Sequence, residues 1–414
     1  MLYALLKTIM GKRKLFGILA VFVALLVFFK AEAPKAPESS IVFDPNKCKS
    51  FKDKESLERL LLYGAVADRA DAGYEMACRR DKAYVPALIL ALNDGSMSVR
   101  RASVYALGKI KDPRATAPLL NSFRETLRLL ATKRNDIEKQ AFLDYSDAVR
   151  KALIEIKDPG AVSGLIDILK NKKMGDIRYM AASALGGIGD KRAVQSLIEA
   201  LNYKDNFVPT AAAFALGDIK DPAAVEPLIA DLKQKNQGVL CPAITALGEI
   251  GDSRAIRPLS EVLKSGDSDA REAAAWALGK IKAPASLKYL IRASGDRGRF
   301  VGSSAVYAMG ALKDPGAVLI LLEILNREGE YLKREAVGAL GDIGDKRAIE
   351  PLQKLLYKEI RLARGWPRYS YKNATYKSTS NLLIREDIIS TLNKLGVTTS
   401  DAVAWTFYYP QVPD

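Results

Sequence analysis

The sequence predicts an all-α fold, an α-solenoid: a superhelical array of about eight two-helix repeats with period 31, preceded by one transmembrane or signal helix. Three observations predict it. Aligned on Ala-Leu pairs, Ala106, Ala152, Ala184, Ala215, Ala246, Ala277, Ala308 and Ala339 each begin a version of Ala-Leu-Gly-x-Ile, looser at Ala152 and Ala308. The spacings are 46, 32 and then 31 five times in succession. Each interval reads as a capped first helix and an alanine-rich second helix. A 15-residue apolar run, Leu15 to Phe29, follows Lys12-Arg13-Lys14. At 414 residues the chain also exceeds what one core usually supports, which an array without a central core resolves.

Residues 1–14 read as a basic cytoplasmic N-terminus carrying Lys7, Lys12, Arg13 and Lys14. Residues 15–29 read as a transmembrane anchor or signal-peptide core. As a helix they span about 22 Å, against a hydrocarbon thickness of about 30 Å. Ala31-Glu32-Ala33 offers a cleavage pattern, but Pro34 directly after it disfavours the cut. An uncleaved anchor is the preferred reading. A cleaved signal, leaving a secreted or periplasmic soluble protein, and a buried helix are the alternatives. The charge asymmetry places the N-terminus in the cytoplasm and the body outside, periplasmic if the cell is bacterial. Residues 30–48, with Pro34, Pro37 and Pro45, form a linker, and 49–81 are degenerate capping helices.

The array proper occupies 82–357. In Asp221-Pro222 the Asp caps a helix and the Pro takes its first position, where a missing N–H costs nothing. The same opening recurs at Asp112-Pro113, Asp158-Pro159 and Asp314-Pro315. A second proline follows six residues after the capping Asp, at Pro118, Pro227, Pro258 and Pro351, and is expected to kink the first helix. In the second helix, as in Ala270 to Ile281, small residues and the Leu and Ile share one stripe that permits close stacking.

These residues carry a resemblance. The kinked first helix, the Val-Arg-x-x-Ala-x-x-Ala-Leu-Gly second helix and the period are similar to short HEAT repeats of the phycobilisome-lyase type. Val99-Arg100, Ile177-Arg178 and Ala270-Arg271 match the Val-Arg step, whereas Val208-Pro209, Val239-Leu240 and Val301-Gly302 depart from it. The likeness covers about Tyr84 to Leu356. It implies a binding scaffold. Deoxyhypusine hydroxylases resemble this repeat type but hold iron through His-Glu pairs, and this chain has no histidine. A bilin-lyase-like accessory enzyme rests on fold analogy alone.

Composition narrows the chemistry further. Without histidine there is no His-ligated metal and no Ser-His-Asp or Cys-His nucleophile. The three cysteines lie too far apart in sequence for a zinc knuckle. The sequence therefore predicts no catalytic residue, no cofactor and no metal, and a non-enzymatic protein.

Binding is expected on the concave face. One residue before the repeat Ala stand Tyr105, Lys151, Ser183, Phe214, Thr245, Trp276, Tyr307 and Gly338, and Tyr179 lies five residues before Ala184. The aromatic members Tyr105, Tyr179, Phe214, Trp276 and Tyr307 suit a protein-binding ridge; the alternative is that they pack between repeats. Three residues after the repeat Ala, the acids Asp218, Glu249 and Asp342 would form its polar rim.

Two insertions interrupt the period, one around Arg128–Tyr145 and one at 358–380. The second holds Arg361, Arg364, Trp366, Arg368, Tyr369, Tyr371 and Lys372, a set suited to a protein partner or to an anionic lipid or polymer; the alternative is a structural loop. Thr391 stands in for the repeat Ala of a degenerate helix within the 381–414 cap. Cys48 and Cys78 are a candidate disulfide and Cys241 a free thiol. Net charge is +15, yet an extracytoplasmic body makes nucleic acid a poor partner. Together these features describe a membrane-anchored, non-catalytic scaffold that binds a protein partner.

Overall fold

The computed structural model describes residues 53–132, 136–204, 207–233, 237–298, 300–326, 330–364, 374–398, 400 and 401. These form twenty α-helices and no strand. They come as ten consecutive pairs. The pairs are α1 (Lys54–Tyr63) with α2 (Val66–Arg79), α3 (Val85–Ala91) with α4 (Met97–Ile110), and α5 (Thr116–Thr132) with α6 (Asp136–Ile156). Next are α7 (Val162–Lys170) with α8 (Tyr179–Ile188), α9 (Val194–Leu201) with α10 (Val208–Ile219), and α11 (Val225–Lys233) with α12 (Gln237–Ile250). The last four are α13 (Ile256–Ser265) with α14 (Ser268–Ile281), α15 (Leu287–Ala293) with α16 (Val301–Leu312), α17 (Val318–Asn326) with α18 (Glu330–Ile343), and α19 (Ile349–Arg364) with α20 (Ala374–Lys394). Contacts divide the chain into two compact units, Met1–Ile219 with Asn236–Val239, and Lys220–Lys235 with Leu240–Asp414.

Eight of the ten first helices, all but α1 and α15, open on a 3-10 turn whose capping Asp accepts a hydrogen bond from the N–H two residues on, as Asp221 does from Ala223 at 3.0 Å. This corrects the expected kink. Pro118, Pro227, Pro258 and Pro351 each sit third in the α-helix that follows the turn, within its first turn, where no intrahelical N–H bond is needed.

Four of these turns carry an arginine that ties repeats together. Arg114, Arg192, Arg254 and Arg347 pair with their own capping Asp at 2.6–2.8 Å. The same guanidinium groups donate to the carbonyls of Lys82, Pro159, Pro222 and Pro315, one repeat earlier, at 2.8–3.1 Å. The hydrogen bonds of Arg114 hold the Asp112 carboxyl at about 2.

Second helices stack through small residues. The glycine two places after the repeat Ala meets the repeat Ala of the next helix. A Cβ on Gly186 would lie 2.6 Å from Ala215 Cα, and one on Gly279 2.6 Å from Ala308 Cβ. Gly341 meets Thr391 in the same way, so Thr391 does occupy the repeat-Ala position; it is buried and donates to Val337 O at 3.2 Å. Five places after the repeat Ala, each of these helices ends in the left-handed region, on glycine (Gly189, Gly251, Gly344) or on lysine (Lys111, Lys157, Lys220, Lys282, Lys313).

Both insertions lengthen helices. The pair α5 and α6 runs 17 and 21 residues, and α19 and α20 run 16 and 21, against 10 and 14 for α13 and α14.

The expected localisation is corrected. Among the described residues no helix is long and apolar enough to cross a membrane, so the single-pass membrane reading with an extracytoplasmic body does not stand. The run 15–29 on which it rested lies outside the described residues.

Candidate protein-binding face

The repeat Ala and the two residues after it are buried in every second helix from α4 to α18 except α6, where Ile154 is half-buried, which leaves the residue before it at the rim of the buried stripe. Tyr105, Phe214 and Trp276 are half-buried there, while Tyr307 is 57% exposed. Ser183, Thr245 and Gly338 are half-buried, and Lys151 is exposed.

In the N-terminal unit, Tyr105 meets Tyr74 edge-on, with ring centroids 5.8 Å apart. Lys109 Nζ lies 5.3 Å from the Tyr105 centroid. Tyr179 sits beside Phe207, centroids 6.2 Å apart, and Phe207 is 39% exposed. Burial pushes the Tyr74 and Tyr179 hydroxyls above their ordinary range.

Tyr74 and Phe207 escaped the sequence reading. Glu75 stands where the repeat Ala belongs, which hides the motif; counting 31 residues back from Tyr105 reaches Tyr74. The Tyr74–Tyr105 contact shows that rim residues of neighbouring second helices touch.

In the C-terminal unit, Trp276 lies close to Gly248, with its Cζ3 3.2 Å from where a Cβ there would stand, and Lys280 Nζ is 5.1 Å from its ring centroid. Burial, and then the charges of Asp267, Asp269 and Glu272, push the Cys241 thiol up to about 12. Burial and then Asp269 push the Glu272 carboxyl up.

Two of the acids expected to rim the ridge are committed to lysines. Glu249 accepts from Lys220 and Lys280, both at 2.9 Å, and Asp342 accepts from Lys394 at 3.1 Å. In the N-terminal unit Lys109 donates to Glu155 at 2.8 Å. Burial alone would raise the Glu249 carboxyl, but the hydrogen bonds from Lys280 and Lys220 hold it below its ordinary range. The Lys109–Glu155, Lys280–Glu249 and Lys394–Asp342 pairs link adjacent second helices.

Arg361 and Arg364 fall in the last turn of α19 with side chains outside the description; Trp366, Arg368, Tyr369, Tyr371 and Lys372 lie outside the described residues. Cys78 is disulfide-bonded and Cys241 is free; Cys48 also lies outside. No cluster of three or more Cys, Asp or Glu able to hold a metal ion occurs among the described residues.

The sequence matches HEAT repeats over residues 65–132, 140–213, 162–240, 225–310 and 301–366. No curated protein matches it. Among solved structures, it is similar to an engineered protein at 20% identity, covering 83% of this chain and 98% of that one with a TM-score of 0.36. It is similar at 19% identity to the CpcE–CpcF complex of phycocyanin lyase from Nostoc sp. PCC7120, covering 75% and 94% with a TM-score of 0.35. A Kap95p structure, in which Kap95p binding induces the switch loops of RanGDP to adopt the GTP-bound conformation, is 13% identical with a TM-score of 0.55. That match covers 85% of this chain and 53% of Kap95p, so the chain spans about half of that length. The likeness to Kap95p is one of fold. With the family matched over most of its length, and with paired helices stacked as a solenoid suited to protein binding or scaffolding, this chain belongs to the HEAT-repeat family.

Proposed function

We propose that the chain is a non-catalytic scaffold that binds a protein partner along the rim of its second helices. Tyr105, Tyr179, Phe214, Trp276 and Tyr307 are the anchors, and Tyr74 extends the N-terminal group. The observation that carries the reading is Tyr307. It leaves 57% of its surface to solvent on a helix whose next three residues, Ala308, Met309 and Gly310, are buried. A tyrosine needed for packing would be covered with them. Large amphipathic rings at exposed rims supply the contact area on which protein interfaces concentrate their energy. Glu249 and Asp342, held by lysines of adjacent helices, serve the stacking of repeats, and Tyr307 is the most exposed of the five rings.

The test combines stability and capture. Trp276→Ala and Tyr307→Ala should each weaken partner binding by more than about 1 kcal/mol. Tyr307→Ala should cost less than about 1 kcal/mol of folding, against about 3–5 kcal/mol for a core aromatic. Photo-crosslinking in native cells from a probe placed at Thr245 would score binding, and melting curves would score folding. Core-sized destabilisation with unchanged crosslinking would sink the proposal.

A further inference from the structure

The rim of the C-terminal unit changes character at α18. The helices α14 and α16 present Trp276 and Tyr307 one residue before the repeat Ala, whereas α18 presents Gly338. A Cβ placed on Gly338 meets nothing within 4 Å, unlike those on Gly279, Gly310 and Gly341. Between α18 and α20 this opens a cavity of about 360 Å³, lined by Arg334, Glu335, Gly338, Asp387, Thr391 and Lys394 among others.

The charges around this notch are unequally spent. Arg334 Nε donates to Asp387 Oδ2 at 2.6 Å, and Lys394 Nζ donates to Asp342 Oδ1 at 3.1 Å. Glu335 is half-buried and has no hydrogen-bond or ion-pair partner among the described residues. Burial pushes its carboxyl above the ordinary range; Arg334 opposes that rise and Asp387 adds to it. The charge left uncompensated is therefore negative, in a chain whose net charge is +15. The exposed ring of Tyr307 stands on the neighbouring helix, which packs on α18 through Gly310 and Ala339.

We infer that the Gly338 notch receives an arginine side chain from an extended segment of the protein partner. The aliphatic stem lies over Gly338, the guanidinium pairs with Glu335, and the Tyr307 ring offers its face to the cation. The absent Cβ supplies the room, and the unspent carboxylate supplies the sign. An acidic segment would have to strip Arg334 from Asp387 or Lys394 from Asp342, leaving a carboxylate unpaired in either case. This inference rests on the second-helix rim being a protein-binding face, and it names the anchor that the face accepts.

The probe is a fluorescent peptide of alternating arginine and glycine, titrated into the full chain at low salt, beside the same peptide with glutamate for arginine. A chain of net charge +15 repels a polycation at long range, so saturable binding of the arginine peptide reports a local site. Gly338→Trp fills the notch and Glu335→Gln removes its charge; each should weaken the arginine peptide at least about tenfold. Glu350→Gln, an equal charge change at an exposed position of α19, should leave binding unchanged. Gly338→Trp should melt no lower than the parent chain, since nothing stands in the way of the new Cβ. Absence of arginine-peptide binding, preference for the glutamate peptide, or survival of binding in both notch variants overturns the inference. Partner crosslinking lost in Trp276→Ala but retained in Gly338→Trp would refute the notch and leave the wider face standing. Crosslinking retained in both would refute the two together.

Discussion

At the scale of single residues, the array keeps a costly group in its core. Asp231, on α11, is 7% exposed and its Oδ2 has no hydrogen-bond partner. The matching positions of three other first helices, ten residues after the cap, hold Ile168, Val262 and Ile324, all buried. Burial pushes the Asp231 carboxyl above its ordinary range. The folded chain therefore buries a carboxyl whose charged form the unfolded chain would solvate. Asp231→Val should stabilise the fold by about 1–3 kcal/mol, the usual cost of an unsatisfied buried polar group. The sign with pH follows from linkage. A folded pKa above the unfolded one means that the native state binds more protons, so the penalty is absent below about pH 4 and grows as pH rises through the folded pKa. The advantage of Asp231→Val over the parent should shrink on acidification. Urea titrations of both proteins at pH 7 and pH 4.5 would measure it, and an equal or larger gap at the lower pH would contradict the assignment.

At the scale of helices, the close approach of second helices separates glycines that look alike in sequence. Gly279 and Gly338 both lie inside second helices, where alanine has the better propensity by about 1 kcal/mol. An added Cβ at Gly279 would stand 2.6 Å from Ala308 Cβ and 2.8 Å from its Cα, so α14 and α16 must part. Gly279→Ala should destabilise the chain by about 1–3 kcal/mol, the typical cost of overpacking. Gly338→Ala, with open space around it, should stabilise by about 0.5–1 kcal/mol. Melting curves of the two variants should move in opposite directions; parallel shifts would show that the stacking is not set by these contacts.

This geometry also explains what was legible in the sequence. The period and the second-helix motif were, because Ala, Leu and Gly at fixed places are what close stacking requires. The prolines misled, since the residues before them form a 3-10 turn that no local pattern distinguishes from the start of an α-helix. The first insertion was legible by length but not by form. Residues 128–145 contain no glycine or proline, and there α5 and α6 lengthen. The repeat spacing puts Tyr105, Phe214, Trp276 and Tyr307 one residue before the buried repeat Ala, at the rim position. It was missed for Tyr74, where Glu75, held by Arg79 at 3.1 Å, replaces the motif alanine. The notch at Gly338 lay in plain sequence, but an empty space and an unpaired carboxylate have no signature until the neighbours are placed.

At the scale of the whole molecule, a solenoid distributes its stability along the chain, because each pair contacts mainly its neighbours. Two arginine links lie within the N-terminal unit, Arg114 to Lys82 and Arg192 to Pro159, and two within the C-terminal unit, Arg254 to Pro222 and Arg347 to Pro315. The partition into two units falls at the pair that carries Asp231, which weakens the core of α11. Opening of such an array proceeds by cooperative segments with separate free energies. Hydrogen exchange of the full chain, read by mass spectrometry, should therefore show different opening free energies for α4, α6 and α8 on one side and for α14, α16 and α18 on the other. Gly279→Ala supplies the perturbation, since its clash lies wholly within the C-terminal unit. It should speed exchange in α14 and α16 and leave α4 and α6 at parent rates. Asp231→Val should slow exchange in α11 and in the pair that follows within the same unit, α13 and α14. If Gly279→Ala instead raised exchange equally from α4 through α18, the chain would open as one unit, and nearest-neighbour coupling would not describe it.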